Sequence, residues 1–353
     1  MAKTIIVKDY ADTVVTKSKT LINAGKGDNI IVVKNGSKST INGEAGNDII
    51  GIYKTIGTKN TINGDAGNDT IGIEGGKKNN INSGFGKDTI ALQSGSSNII
   101  HGDGGSDKIE ILGGSSNTFY GDAEADTIKI KGGKKNKVYG GANTDEITLY
   151  NGSLNIIHGD AAKDIITITG GSSNEIYGDA AADTITVKSG KQNKVYGGAS
   201  NDIIKVSGGS SNIVHGNTGK DKITLSGGSS NKIYSDSGAD TFALKGGNNN
   251  QIYGGSSVDT FTVSGGSNII FGEGGVDKFI FKSGATGKTI IQDYGKGEII
   301  TFNSGVDLAG TFSSVGNDIT LDLTNKGTIT IIGGKGKTVT FEDSSGKVRK
   351  LML

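Results

Sequence analysis

The sequence predicts an all-β fold, a right-handed parallel β-solenoid or β-roll of about fourteen coils with a β-rich C-terminal cap. The first observation is an aspartate that recurs every 19 residues. An asparagine ladder keeps the same step, and apolar and polar residues alternate after each ladder position. Two polar residue types that recur with the same period indicate that each repeat forms one coil of a solenoid. The ladders comprise Asp69, Asp88, Asp107, Asp126, Asp145, Asp164, Asp183, Asp202, Asp221, Asp240 and Asp259, and Asn79, Asn98, Asn117, Asn136, Asn155, Asn174, Asn193, Asn212, Asn231 and Asn250.

Each coil is predicted to contain two strands and two turns. A tight turn ends at Asp183 before the strand Thr184–Lys188, and a small polar turn ends at Asn193 before the strand Lys194–Tyr196. Alternation places three positions per coil inward: two and four residues after the Asp, and two after the Asn. Stacking at a strand spacing of ~4.8 Å then gives three aliphatic columns. Their members are Ile71, Ile90, Ile109, Ile128, Ile147, Ile166 and Ile185; Ile73, Leu92, Ile111, Ile130, Leu149, Ile168 and Val187; and Ile81, Ile100, Phe119, Val138, Ile157, Ile176 and Val195.

The period also sets the predicted domain boundaries. Residues 1–19 are predicted to form an N-terminal cap or degenerate coil, residues 20–300 the repeat domain, and residues 301–353 a capping β region. A cap is expected because the end of a solenoid exposes apolar rungs and open backbone. One coil is longer than the others, which indicates a short insertion near Tyr53–Lys59. The strands predicted in the cap are Asp318–Leu323, Thr328–Ile332 and Thr338–Glu342.

Composition fits a thin repeat protein. The chain has 61 glycines, no proline, cysteine or tryptophan, and 33% hydrophobic residues, so a narrow apolar stripe per coil is more plausible than one thick core. Absence of cysteine excludes disulfides, zinc-thiolate sites and thiol nucleophiles. The 37 basic and 36 acidic residues show no basic bias, which disfavours nucleic acid as a partner. The segment Met1–Tyr10 lacks the apolar run of a cleaved signal peptide, and no stretch is apolar enough to span a membrane.

Gly-rich loops precede the aspartates. Gly43–Asp48 (GEAGND), Gly64–Asp69 (GDAGND) and Gly102–Asp107 (GDGGSD) are each followed by x-Ile-x-Ile. They resemble the GGxGxDxUx nonapeptides of the hemolysin-type (RTX) calcium-binding β-roll proteins, which are bacterial secreted or surface proteins. The stretch Val276–Phe302 also resembles the segment that closes such arrays.

The resemblance implies calcium as cofactor at some loops. Ca²⁺ takes oxygen ligands from carboxylates and backbone carbonyls, and a Gly-rich turn can direct carbonyls inward. The implied metal contacts come from loops that keep a glycine in the fourth position, together with the first glycines of two of them. These contacts are Asp48, Asp69, Asp88, Asp107, Asp221, Asp240 and Asp277, with Gly64 and Gly102.

Three departures from the family pattern argue against an ion at every coil. The fourth-position glycine is replaced in the middle coils by Glu124, Asn143, Ala162, Ala181 and Ser200. The second half of each coil carries GGSSN in place of GGxGxD, and the net charge is +1. The alternative is that Asp and Asn form hydrogen-bonded ladders that cap the loop amides. For the Asn ladder we expect this structural role.

A further column lies three residues after each Asn and is expected to face outward. Its aromatic rings could bind sugars, with Tyr120, Tyr139, Tyr177, Tyr196, Tyr234 and Tyr253 as the ligand stripe, or they could simply pair with neighbouring rungs. We favour the second interpretation. The three histidines of the column are spaced ~14 Å apart by strand spacing, too far to share one metal ion. The full column is His101, Tyr120, Tyr139, His158, Tyr177, Tyr196, His215, Tyr234, Tyr253 and Phe271.

The functional prediction is a non-enzymatic, secreted or cell-surface structural and adhesive protein that binds calcium at a subset of loops. The resemblance implies type I export with an uncleaved C-terminal signal. Expected partners are calcium ions, glycans or other surface proteins, and further copies that meet at the solenoid ends. No nucleophile–base motif or cleft-forming insertion points to an enzyme. The alternatives are a carbohydrate-binding β-roll module and, less favoured, an ice-binding solenoid. The Thr file that ice binding needs (Thr70, Thr89, Thr127, Thr184, Thr241 and Thr260) is interrupted at Ile49, Lys108, Glu146 and Ile165.

Overall fold

The computed structural model describes residues 3–6, 12–15, 18–34, 37–53 and 58–352. These residues form an all-β parallel solenoid of about 15 turns, which confirms the predicted fold class and nearly matches the predicted number of coils. No helix occurs in these ranges, and therefore none that could span a membrane. Parts of the predicted N-terminal cap (residues 1–2, 7–11 and 16–17) and residues 54–57 of the insertion predicted near Tyr53–Lys59 lie outside the described residues. The chain divides into two compact units, Met1–Ala180 and Ala181–Leu353.

The first unit alternates strands that follow the Asp ladder with strands that follow the Asn ladder. Its strands are β1 (Lys3–Ile6), β2 (Asp12–Val15), β3 (Thr20–Asn23), β4 (Ile30–Lys34), β5 (Thr40–Asn42), β6 (Ile49–Tyr53), β7 (Thr61–Asn63), β8 (Thr70–Glu74), β9 (Asn80–Asn82), β10 (Thr89–Gln93), β11 (Ile99–His101), β12 (Lys108–Leu112), β13 (Thr118–Asp122), β14 (Thr127–Lys131), β15 (Lys137–Gly141), β16 (Glu146–Tyr150), β17 (Ile156–Asp160), β18 (Ile165–Thr169) and β19 (Glu175–Asp179).

From β1 to β17, each strand pairs in parallel with the second strand along the chain, so like residues of successive coils come into register. Thr89 of β10 is paired with Lys108 of β12, and Ile90 with Ile109. On the other side of the coil, Ile100 of β11 is paired with Phe119 of β13. Parallel pairing in register is the arrangement that a fixed 19-residue step predicts.

The core is the set of inward columns. Every residue assigned to the three columns is 2% exposed or less. Because identical or similar aliphatic side chains stack on one another, the interior is a narrow continuous stripe, as the low hydrophobic content requires.

The second unit continues the same alternation and then changes to antiparallel pairing. Its strands are β20 (Thr184–Lys188), β21 (Lys194–Ala199), β22 (Ile203–Ser207), β23 (Ile213–Thr218), β24 (Lys222–Leu225), β25 (Lys232–Tyr234), β26 (Thr241–Tyr253), β27 (Thr260–Phe271), β28 (Lys278–Phe281), β29 (Lys288–Ile291), β30 (Ile299–Phe302), β31 (Leu308–Val315), β32 (Asp318–Leu323), β33 (Thr328–Ile331), β34 (Thr338–Glu342) and β35 (Val348–Met352).

Residues after 301 form the predicted strands. Strands β33 and β34 extend the solenoid by pairing in parallel with β29 and β30, while β31, β32 and β35 add antiparallel partners. The buried Tyr294 fixes this region, because its hydroxyl donates to the carbonyl of Glu298 at 2.6 Å and accepts from the Thr340 amide at 3.0 Å. The boundary of the cap at residue 301 stays a prediction.

The Asn ladder has the structural role expected of it. Asn231, fully buried, donates from both its backbone and its side-chain amide to the side-chain oxygen of Asn250, at 2.9 and 3.0 Å. Its own side-chain oxygen accepts the same two bonds from Asn212. Each amide thus satisfies buried polar groups of the coil before it.

Candidate metal centre

The Asp loop is the six-residue turn that ends at each ladder aspartate, and its positions are numbered one to six. In the loop Gly43–Asp48, β5 ends directly before position one and β6 begins directly after position six. Two strands of the coil therefore hold both ends of the turn, and parallel register stacks equivalent loops. Position six is the residue predicted to contact metal.

The carboxylates at position six point into the coil. All ladder aspartates are 3% exposed or less, including the predicted ligands Asp48, Asp69, Asp88, Asp107, Asp221, Asp240 and Asp277. One carboxylate oxygen, Oδ1, accepts the backbone N–H of the aspartate one coil earlier. The distance is 2.7 Å from the Asp48 amide to Asp69 and 2.8 Å from the Asp202 amide to Asp221. The predicted capping role of the aspartates is therefore also present.

In most of the loops the second oxygen, Oδ2, is buried and has no hydrogen-bond partner among the residues that the structure describes. A buried ionised oxygen that lacks a partner is costly, so a ligand or a proton is expected there. The carboxylates concerned are Asp48, Asp69, Asp107, Asp126, Asp145, Asp202, Asp221 and Asp259.

Glycine at position one leaves room beside this oxygen. A Cβ atom on Gly102 would lie 2.6 Å from Oδ2 of Asp107 and 2.6 Å from the carbonyl oxygen of Gly121 in the next coil. A Cβ atom on Gly64 would likewise contact Oδ2 of Asp69 and the Ser83 carbonyl. Each such loop therefore has a small space bounded by a carboxylate oxygen and a backbone carbonyl oxygen, the donor types that Ca²⁺ prefers.

Two predicted loops differ at position one, where serine replaces glycine. The Ser83 hydroxyl, in the loop of Asp88, donates to the Gly102 carbonyl at 2.7 Å. Ser235, in the loop of Asp240, makes the equivalent bond to Gly254. In both loops the hydroxyl lies beside the ladder carboxylate, in the space that glycine leaves open elsewhere, and it opposes the rise in the pKa of that carboxyl caused by burial. An ion at Asp88 or Asp240 would therefore lie next to this hydroxyl.

The backbone at position four divides the loops into two classes. Where it is glycine, φ lies between +124° and +141°, as at Gly105 and Gly67. Where another residue replaces the glycine, φ lies between +65° and +83° at Glu124 through Ser200 and is +94° at Ser257. Side chains cannot adopt the first range without strain, so glycine decides which conformation a loop takes. The seven predicted metal loops all belong to the first class.

Burial raises the pKa of the ladder carboxyls. It raises the pKa of Asp69 and Asp107 to about 7, of Asp126 to about 8 and of Asp221 to about 6. The backbone N–H bond to Oδ1 opposes this shift, and neighbouring ladder carboxylates add to it. The ionised ladder therefore needs a compensating positive charge near neutral pH.

The outward column forms continuous aromatic stacks within each unit. In the first unit His101, Tyr120, Tyr139, His158 and Tyr177 stack with ring centroids 4.5–5.1 Å apart and planes within 10°. The second unit repeats this from Tyr196 to Phe271. Neighbouring rungs therefore stack their rings, as the interpretation favoured above expects, and the ligand stripe stays a prediction. Stacked neighbours cover the ring faces, so the stripe offers ring edges and hydroxyls to a sugar.

Comparison with known proteins identifies the repeats. Residues 38–50, 57–71, 206–242 and 253–285 match, as four copies, the family described as RTX calcium-binding nonapeptide repeat. The crystal structure of a hyperactive, Ca²⁺-dependent, beta-helical antifreeze protein from an Antarctic bacterium is similar over 76% of this chain and 84% of that chain, with a TM-score of 0.51 and 19% identity. That likeness concerns the fold. No curated protein matches the sequence.

The chain is thus a parallel β-solenoid repeat protein. Its matched segments are RTX calcium-binding nonapeptide repeats, and Ca²⁺ is the cofactor of such repeats. The matched segments contain five of the predicted ligands, Asp48, Asp69, Asp221, Asp240 and Asp277, together with Asp259. Asp88 and Asp107 lie outside them. The assignment of ions to individual loops stays a prediction.

Proposed function

We propose that this chain is a non-enzymatic structural and adhesive β-roll protein that works outside the cell or on its surface, where calcium stabilises a subset of its loops. The observation that carries the proposal is the row of buried Oδ2 oxygens without partners in loops of the calcium-binding repeat type. We further propose export by a type I route with an uncleaved C-terminal signal, and glycans or other surface proteins as partners.

The loop residues and the strands have different roles in the proposed calcium site. Bound Ca²⁺ supplies positive charge that permits the buried carboxylates to ionise together. The position-six carboxylate joins two coils, since Oδ1 already accepts an N–H from the preceding coil. Position-one glycine keeps the adjoining space open, and a carbonyl of the following coil faces that space. Filling it with an ion would connect neighbouring coils and stiffen a chain that has no disulfides.

Two neighbouring loops offer a matched test of where calcium binds. Asp221 and Asp202 both have glycine at position one and similar Oδ1 bonds, but position four is Gly219 in one loop and Ser200 in the other. We expect Asp221→Asn to lower the number of bound calcium ions by at least one. Asp202→Asn should leave the number unchanged. Equilibrium dialysis with ⁴⁵Ca²⁺ measures both the number and the affinity.

The affinity tests the proposed location. Extracellular calcium modules have dissociation constants of about 10⁻⁴ to 10⁻³ M, whereas cytosolic buffers bind far more tightly. A dissociation constant in the first range supports function outside the cell, and binding below about 10⁻⁶ M would contradict it. If Asp221→Asn and Asp202→Asn lost equal numbers of bound calcium ions, the residue at position four would not select the ion sites.

Ice binding is a second candidate, favoured by the fold of the antifreeze protein and by short files of outward threonines. Thr70 pairs with Thr89, and Thr241 with Thr260. Lys108 follows Thr89 in register, so a charged side chain ends the first file. We therefore expect no thermal hysteresis above that of an equal concentration of a non-ice-binding protein, measured in calcium by nanolitre osmometry. Faceted ice crystals and a clear freezing gap would favour this second function.

A further inference from the structure

A histidine and two aspartates meet on the outside of the first unit. His101 ends β11, Asp103 is position two of the following Asp loop, and Asp122 is position two of the loop one coil later. The His101 Nδ1 atom lies 2.9 Å from Oδ2 of Asp122. One nitrogen and two carboxylate oxygens from the three side chains lie within 4.8 Å of one another. The cluster therefore spans two coils.

The same cluster recurs in the same unit. His158, Asp160 and Asp179 lie 57 residues after the first set and again place their ligand atoms within 4.8 Å of one another. The His158 Nδ1 atom is 2.8 Å from Oδ2 of Asp179. Two copies with one geometry show that the arrangement belongs to a three-coil repeat rather than to one irregular loop.

The second unit contains a natural variant of the cluster. His215 Nδ1 lies 3.0 Å from Oδ2 of Asp236, but Asn217 stands where the other copies have Asp103 and Asp160. One anionic ligand has been replaced by a neutral amide of the same size. This third copy is a matched control within the chain.

We propose that the His101/Asp103/Asp122 and His158/Asp160/Asp179 clusters each bind a divalent transition-metal ion of the Zn²⁺ class that joins adjacent coils. Imidazole nitrogen with carboxylate oxygen suits zinc and its neighbours, whereas calcium takes oxygen ligands. Three protein ligands with solvent at the remaining position complete a tetrahedral zinc site. The third copy, with one carboxylate fewer, binds more weakly.

The geometry permits this with small adjustments. Ligand atoms around a tetrahedral zinc ion lie about 3.3 Å apart at bonds of about 2.0–2.1 Å, so the 2.9 Å contact of His101 with Asp122 must open slightly. The side chains of these two residues are 29% and 33% exposed, which gives an ion access from solvent. Stacking holds the imidazole in place: His101 lies 4.5 Å from the Tyr120 ring, and His158 lies between Tyr139 and Tyr177. Rings fixed in this way need little reordering to bind an ion.

These clusters use different carboxylates from the calcium sites, although Asp103 belongs to the loop that ends at Asp107. Their aspartates occupy position two and are half-buried on the outer face, whereas the calcium carboxylates occupy position six and are buried. An ion pair between a protonated imidazole and the aspartates is the alternative use of the cluster, since the Asp122 hydrogen bond raises the pKa of His101. Counting bound metal distinguishes the two uses.

The test is a zinc titration of the full chain in saturating calcium, which keeps zinc from the position-six carboxylates. Isothermal titration calorimetry is expected to show two equivalent zinc sites. The double variant Asp103→Asn/Asp160→Asn should lose both, because it converts the two clusters to the form of the third. Folding should be retained, since Asn217 already occupies this position, and circular dichroism checks it. His215→Asn should leave two sites.

The converse variant is the sharper experiment. Asn217→Asp restores the second carboxylate in the third copy and is expected to raise the number of zinc sites from two to three. Anomalous scattering at the zinc edge should then place ions beside His101, His158 and His215. The proposal is overturned by an absence of zinc binding, by two sites that survive the double variant, or by an unchanged count in Asn217→Asp. These results are independent of where calcium binds.

Discussion

At about pH 8, removal of calcium with a chelator is expected to destabilise the solenoid strongly, whereas at about pH 5 the same treatment should have a much smaller effect. The ladder carboxyls have an ordinary pKa of 3.8, which burial raises to about 7 in Asp69 and about 8 in Asp126. Between these values the folded chain binds protons that the unfolded chain has released. Without calcium, the free energy of unfolding is therefore highest at acidic pH, falls as pH rises above 3.8, and levels off once pH has passed the raised pKa values of about 7 to 8.

Calcium should reverse this dependence. The ion binds the ionised carboxylates, so its stabilising effect grows as protons leave. Chemical denaturation followed by far-ultraviolet circular dichroism, with and without chelator across this pH range, measures both trends. Asp126→Asn should reduce the slope in chelator, because it removes one carboxyl that titrates there. Asp343→Asn is the control, since hydrogen bonds to Asp343 lower its pKa to about 2, below the range. Stability that increases with pH in chelator would contradict the prediction.

Gly238→Ala is expected to lower the free energy of unfolding by about 3 kcal/mol or more, even in calcium. Gly238 is position four of the Asp240 loop and has φ of +137°, where a Cβ atom would overlap the carbonyl oxygen of Gly219 in the preceding coil. The stacked loops cannot separate locally without breaking the register of both strands that hold them. The loss should therefore include calcium affinity as well as stability.

The matched control is Gly72→Ala. Gly72 lies in β8, and a Cβ atom there would meet nothing within 4 Å. Alanine should leave stability nearly unchanged at this position or raise it slightly. Thermal unfolding of both variants in calcium compares them directly. Similar melting temperatures for the two variants would show that the position-four conformation is not required.

Much of the fold could be predicted because the repeat converts local pattern into tertiary contact. In a solenoid, residues 19 apart are neighbours, so the inward columns and the Asn ladder follow from spacing alone. The aromatic column was also predictable, including its stacking. Coils with a fixed step leave few alternative arrangements for these side chains.

The candidate sites were only partly predictable. The sequence points to the ladder aspartates and to the glycines around them. It does not indicate that Oδ1 is already used by a backbone N–H, or that serine fills the space at Ser83 and Ser235. The His–Asp clusters were missed, although the 57-residue repeat of loop position two was the available signal. That position is polar in many coils, and only side-chain direction shows which of its residues approach a histidine.

The sequence by itself determined the architecture, the identity of the inward columns and the position of the Gly-rich loops, because periodicity and alternation act through backbone geometry. Only the tertiary structure decided the state of each carboxylate. In most of the ladder carboxylates, Oδ1 has a hydrogen-bond partner and Oδ2 has none among the described residues, and burial raises the pKa of the group. The hydrogen bonding and the burial both depend on atoms from the coils before and after it. Such contacts join loops that are a full coil apart in the chain, so no window of sequence contains them.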